Sequence, residues 1–258
     1  MSMSDRPAFP PGRPVVRSGR FMPGPQRRIR FAATCWPEFL LPGATLVVLC
    51  LAVLDQPVVM AADGILPAFR QLAVALTDLS TSMWVLSVSL VFACRALAAS
   101  AGGGPRRQRV TALLLGQQAL YVFAALASAA FAANIIKRLI GRARPELFDS
   151  LGFFHFGGGL MSYAHQSFPS GHSTAAGAFF MAMSMLAPRY RPLFVSFALF
   201  FGFARIAAGA HYPSDVAAGL VFGAWVAFCM ALLFSRYRLV FTPDRSGRPV
   251  LRRHCLPH

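Results

Sequence analysis

The chain has 258 residues, of which 56% are hydrophobic, a mean hydropathy of +0.54 and a formal net charge of +16. So apolar a composition argues against a soluble domain, because too little polar sequence remains to cover a core of that size. The charge would point to nucleic acid in a soluble protein, but here it is concentrated between long apolar runs, which speaks for a membrane topology signal and against a nucleic-acid partner.

In chain order, residues 1–30 are rich in Pro, Gly and Arg with little hydrophobic pattern, and read as a disordered basic cytoplasmic tail. No short apolar stretch near Met1 reads as a cleaved signal. Segments 39–61, 83–101, 110–136, 172–187, 193–210 and 216–235 carry almost no charge, and a bilayer core needs about 20 apolar residues per helix. The expected fold is therefore all-α, a polytopic membrane protein built as a six-transmembrane-helix bundle. Asp55 and Pro57 interrupt the first run. Residues 63–82 mix Pro67, Arg70 and Asp78 with Leu, Val and Ile, and read as an interfacial helix between the first two spans. The five cysteines, Cys35, Cys50, Cys94, Cys229 and Cys255, show no metal spacing and read as small hydrophobes.

Of the 25 basic residues, 18 lie before residue 31, between spans two and three, between spans four and five, or after span six. With six spans these four segments share one face, which the positive-inside rule makes cytoplasmic; both termini then lie in the cytoplasm. The end of span three, the starts of spans four and six, and the end of span five fall together on the opposite, periplasmic face. Four cations, Lys137, Arg138, Arg142 and Arg144, oppose the charge rule there. A bound anion would explain the exception.

Three polar pieces land on that face. In the first, Lys137 is the only lysine beside 24 arginines, and Arg144 follows it by seven residues, so on a continuous helix the two would share a face. Pro145 then ends the helix or starts a turn. Arginine offers phosphate a planar fork, lysine a compact point charge. Arg138 and Arg142 read as snorkelling residues. The second piece, "FPSGHSTA" at 168–175, places Ser170 to cap a helix whose free N–H groups and dipole favour an anion, with Gly171 open to close approach and His172 in the first turn. In the third, Arg205, His211 and Asp215 bring an imidazole and a carboxylate within reach of one another if the backbone turns, and Pro213 suits the first turn of span six. Taken singly, each piece has an ordinary explanation: an interfacial cation cluster, a capped helix start, a water-bonded histidine.

Taken together, Lys137-x6-Arg144-Pro145, Pro169-Ser170-Gly171-His172 and Arg205-x5-His211-x3-Asp215 resemble the type-2 phosphatidic acid phosphatases, which share a site with the vanadium haloperoxidases. The resemblance covers about residues 84–235 and departs at Ala204, where the family pattern has serine. It implies covalent catalysis, with His211 as nucleophile toward phosphorus, Asp215 holding its ring, and His172 protonating the leaving oxygen and later helping water. Lys137, Arg144, Arg205, Ser170 and Gly171 would bind the phosphate oxygens. No metal and no cofactor are called for. His155 and His165 read as loop residues. The domain plan becomes a tail at 1–30, a membrane phosphatase domain at 31–235 and a basic cytoplasmic tail at 236–258.

The implied substrate is amphiphilic: a phospholipid, isoprenoid or glycolipid phosphate, with phosphatidylglycerol phosphate, phosphatidate, undecaprenyl pyrophosphate and lipid A phosphates as candidates, met among membrane lipids at the periplasmic face of a bacterial inner membrane. A lipid phosphotransferase using the same site and a non-catalytic membrane protein are the alternatives, and a haloperoxidase is disfavoured by six spans.

Overall fold

The computed structural model describes residues 36–61, 64, 66–79, 82–157, 162–244 and 247–252; the expected tail at 1–30 lies outside them. Its order is helix α1 (Trp36–Leu49), a π-helical turn (Cys50–Leu54), α2 (Asp55–Ala61), α3 (Pro67–Leu79), α4 (Ser82–Ala101), α5 (Arg106–Ile140), α6 (Phe148–Leu151), α7 (Gly171–Leu186), α8 (Arg191–Ala207), α9 (Pro213–Arg236) and strands β1 (Phe241–Pro243) and β2 (Pro249–Leu251). Among the described residues, five helical stretches are long and apolar enough to cross a membrane: Phe39–Ala61, Met83–Ala101, Arg106–Leu151, Pro188–Ala207 and Pro213–Arg236. The remaining expected span, 172–187, is the 16-residue α7. At 1.5 Å per residue it reaches about 24 Å, short of a hydrocarbon core of about 30 Å. α5, with 35 residues, extends to about 52 Å and outruns that core.

The Asp55 and Pro57 interruption does not break the first span, because the π turn carries the helix through into α2. Within the segment 63–82, expected as an interfacial helix, the chain forms helix α3, which buries Ala73 and Thr77 and packs on α8.

α7 is the central helix, packed by α9, α8 and α5. Its facing positions are small: Ala175, Ala176, Gly177, Ala178 and Ala182 are all buried, against Ala217, Ala218, Gly219 and Gly223 of α9. Small residues let helices approach closely where the solvent is lipid and no hydrophobic force separates core from surroundings. Gly219 shows how close: a Cβ there would lie 2.6 Å from the Ser170 carbonyl oxygen. Outward positions are large and apolar, including Val48, Val53, Val88, Leu193, Val195, Leu199 and Phe203, as lipid-facing surfaces require.

The apolar core fills the end of the bundle where α9 finishes. Tyr121, Leu126, Met185, Phe228, Leu232 and Phe241 pack there, and Tyr121 donates a hydrogen bond to the Ala227 carbonyl at 3.1 Å. The segment expected as a basic tail folds back at this end: β1 and β2 pair antiparallel, Phe241 opposite Leu251, and Phe241 meets the Tyr121 ring edge-on. The opposite end collects the last turn of α5 and the first turns of α7 and α9, and this is where the motif residues meet.

Candidate active site

α5 stops at Ile140 because Gly141 adopts a left-handed conformation (φ 62°) and its N–H bonds the Lys137 carbonyl. The expectation that Lys137 and Arg144 share one helix face therefore fails. Arg144 lies beyond the helix in extended backbone, and Pro145 opens a 3-10 turn. The chain doubles back instead, and Lys137 and Arg144 still line one cavity of about 250 Å³, together with Gly171, His172, His211, Tyr163, Asn134 and Met83.

Each group arrives by a separate local rule. Lys137 is buried in the last turn of α5, and its ammonium would be only 3.0 Å from a Cβ at position 171, so glycine there leaves it room. Arg144 is held by the Tyr163 and Ala210 carbonyls, with the Tyr163 ring 3.9 Å from its guanidinium carbon. Ser170 caps α7 as expected, its hydroxyl accepting from the Ser173 N–H and the Ser173 hydroxyl. That hydroxyl faces back into the helix cap, whereas Gly171 and His172 face the cavity. Arg205 is buried in the last turn of α8 and donates to Thr77 of α3 at 2.9 Å. Ala204, at the family's serine position, is buried beside it.

His211 is 2% exposed and Asp215 fully buried. Asp215 caps the start of α9 by accepting from the Tyr212 N–H at 3.1 Å. Its Oδ2 lies 3.7 Å from His211 Nδ1, beyond hydrogen-bond reach. Ser167 fills the gap: its hydroxyl donates to Asp215 Oδ2 at 2.6 Å and lies 3.4 Å from His211 Nδ1. With its one proton spent on Asp215, that oxygen accepts from Nδ1–H, which assigns the tautomer and leaves Nε2 unprotonated toward the cavity. Burial pushes the His211 pKa down to about 3; Asp215 opposes the shift, while Arg144 and Lys137 add to it. The imidazole is thus neutral at physiological pH and holds a free lone pair.

Arg142 overturns the snorkelling expectation. It is 1% exposed and pairs with Asp215 at 2.6 Å and Asp55 at 2.7 Å. The left-handed turn at Gly141 lies immediately before Arg142 and leads the chain off the helix, so proximity to the interface does not determine whether a cation faces out or in. Sequence reading also missed Asp55, Ser167 and Thr77. Ser167 lies in a loop and Thr77 on α3, where spacing gives no cue. Asp55 had one: it is the lone acid in an apolar run.

The PAP2 superfamily model matches residues 118–239. Over 218 residues, 84% of this chain and 88% of the relative, the sequence is 36% identical to the lipid A 1-phosphatase of Rhizobium johnstonii. The chain belongs to the PAP2 superfamily. The lipid A 1-phosphatase of Rhizobium etli is likewise 36% identical, over 84% of this chain and 93% of that protein. Undecaprenyl-diphosphatase BcrC of Bacillus subtilis is 40% identical over 80 residues, 31% of this chain and 39% of its own. The crystal structure of a transmembrane PAP2-type phosphatidylglycerolphosphate phosphatase from Bacillus subtilis shares the fold, with a TM-score of 0.53 and 18% identity over 76% of this chain and 95% of that one. The family expected from the motifs is therefore the family found, and the protein is a phosphatase of the membrane.

Proposed function

We propose that this phosphatase hydrolyses the phosphomonoester of an amphiphilic glycolipid, lipid A at its 1-position, through a phosphohistidine on His211. The observation that carries the mechanism is the convergence of His211, His172, Lys137, Arg144 and Gly171 on one cavity. The relatives that match most of the chain support the substrate, since they are lipid A 1-phosphatases, whereas the undecaprenyl-diphosphatase matches 31% of it.

In this reading Lys137, Arg144, Arg205 and the first N–H groups of α7 hold the equatorial phosphate oxygens. Positioning and charge stabilisation supply most of phosphoryl-transfer catalysis. His211 Nε2 forms a bond to phosphorus as the bond to the lipid oxygen breaks, and His172 gives that oxygen its proton. Water then attacks the phosphohistidine, His172 takes the proton, and phosphate leaves. α7 counts as the fourth of six spans, shielded by its neighbours. The cavity faces the periplasm, because the exposed Arg106, Arg107, Arg109, Arg189 and Arg191 lie at the other ends of the helices that carry the site. α3 lies along the outer interface.

The test is phosphate release by detergent-purified protein from lipid A, phosphatidylglycerol phosphate, phosphatidate and undecaprenyl diphosphate, with and without EDTA. Release from lipid A at its 1-position, unaffected by EDTA, is expected. Phosphate delivered to a second lipid would make the protein a phosphotransferase, and no turnover on any substrate would make it a non-catalytic membrane protein.

A further inference from the structure

Asp55 lies upstream of the residues that match the family, in a run from 39 to 61 where it is the sole charge. A lone carboxylate in a membrane span is costly, and such groups mark functional sites. Local structure aims it inward. The π turn at Cys50–Leu54 packs against α9 and ends at Asp55; Val53 and Leu54 face outward while Asp55 is completely buried. Its Oδ1 accepts from the Ser214 N–H at 2.9 Å, and its Oδ2 from the Ser214 hydroxyl at 2.5 Å and from Arg142 at 2.7 Å. The other arm of Arg142 holds Asp215 at 2.6 Å and the Ser214 hydroxyl at 2.7 Å. One guanidinium is thus shared between two carboxylates, and the second of them stands behind His211.

We propose that Asp55 is a positioning residue of the catalytic centre, acting through Arg142 to hold Asp215 behind His211 and to keep that carboxylate's charge available to the ring. This rests on the phosphohistidine reading above. When Nε2 bonds to phosphorus, a ring that keeps its Nδ1–H becomes positively charged. Lys137 from α5 and Arg144 from the following loop line the site and disfavour that charge, and His172 of α7 lines the same cavity. Among the described residues, Asp215 of α9 opposes them directly. Were Arg142 paired with Asp215 alone, the pair would be neutral. Asp55 takes up the guanidinium's charge and leaves a net negative charge behind the ring.

The experiment measures kcat, KM and the pH profile on the lipid phosphate the wild-type protein hydrolyses, with melting temperature in detergent as the folding control. Asp55→Asn keeps the size and an acceptor for the Ser214 N–H but removes the charge. We expect kcat to fall about tenfold to a hundredfold with KM little changed, as misplacement of a reacting group does. The acid limb of kcat, set by His211 beside a phosphate dianion, moves to lower pH by roughly one unit, because removal of a negative charge makes the imidazolium more acidic. Asp55→Glu, which keeps the charge, restores part of kcat and returns the limb. An unchanged kcat in Asp55→Asn, or a loss equal at every pH and not relieved by glutamate, overturns the proposal. If Asp55→Asn does not fold, Arg142→Lys decides, since one ammonium cannot bridge both carboxylates: wild-type kcat there overturns the proposal. No turnover by the wild-type protein sinks the phosphatase reading and this one with it; turnover with an indifferent Asp55→Asn sinks this one alone.

Discussion

At the scale of single residues, the site is a neutral imidazole ringed by fixed cations, with its one anionic support reached through a serine. If His211 and His172 are nucleophile and acid, His211→Ala and His172→Ala each lower turnover by roughly a thousandfold while the protein still inserts and melts as wild type; phosphate release by purified variants checks it. Lys137 is a sharper case. Its ammonium lies over Gly171, where even a Cβ would approach within 3.0 Å. A guanidinium is wider and planar, so Lys137→Arg impairs turnover although the charge is kept, and a wild-type rate would show that the compact head is not what the position requires. These residues were singled out in the sequence because each sits at the end of an apolar run, and the roles assigned to them are what the resemblance of the three spaced motifs to one family implies. Ser167 and Thr77 were not, because they meet Asp215 and Arg205 only after distant segments pack, and Asp55 showed only as a lone acid whose partner Arg142 the sequence does not name. Arg142 was misread since charge and depth alone do not fix the direction in which a side chain leaves the backbone.

At the scale of elements, the packing of α7 against α9 decides how well the two histidine-bearing segments register. Ser170 donates its N–H to the Asp215 carbonyl at 3.0 Å, so the N-terminal ends of both helices are tied together. Gly219 faces that junction, where a Cβ would also lie 2.9 Å from Ser173 Cβ. Gly219→Val is expected to cost about 2–3 kcal/mol through overpacking, read as a lower melting temperature in detergent, with turnover falling in parallel; an unchanged melting temperature would contradict the contact. Helix positions were readable from hydropathy to within a few residues: α7 was expected at 172–187 and spans Gly171–Leu186. The end of α5 was less sharp: Pro145 was expected to end the helix or start a turn, and it starts a turn while the helix breaks earlier, at Gly141. The strand pair after α9 was also missed, its alternation being too short to register against a basic background.

At the scale of the whole molecule, the fold sets two chemically different ends. Exposed arginines crowd one, and the cavity with its buried charges occupies the other. In a cysteine-free background, single cysteines at Arg107 and Phe154 should react with a membrane-impermeant thiol reagent from opposite sides, Phe154 from outside the cell; labelling from the same side would invert or break the proposed topology. The shared guanidinium has a further consequence for how the protein is made. Asp55 enters the bilayer before residue 142 has been synthesised, and an acid within a span costs up to ~3 kcal/mol to insert, most at the centre and less toward the end where Asp55 lies. The nascent first span therefore carries an acid whose partners, Arg142 just beyond α5 and Ser214 at the start of α9, come later in the chain. Its docking onto α9 joins the buried ion pair to apolar contact, Phe39 meeting Phe228, so the catalytic centre is completed as the bundle closes.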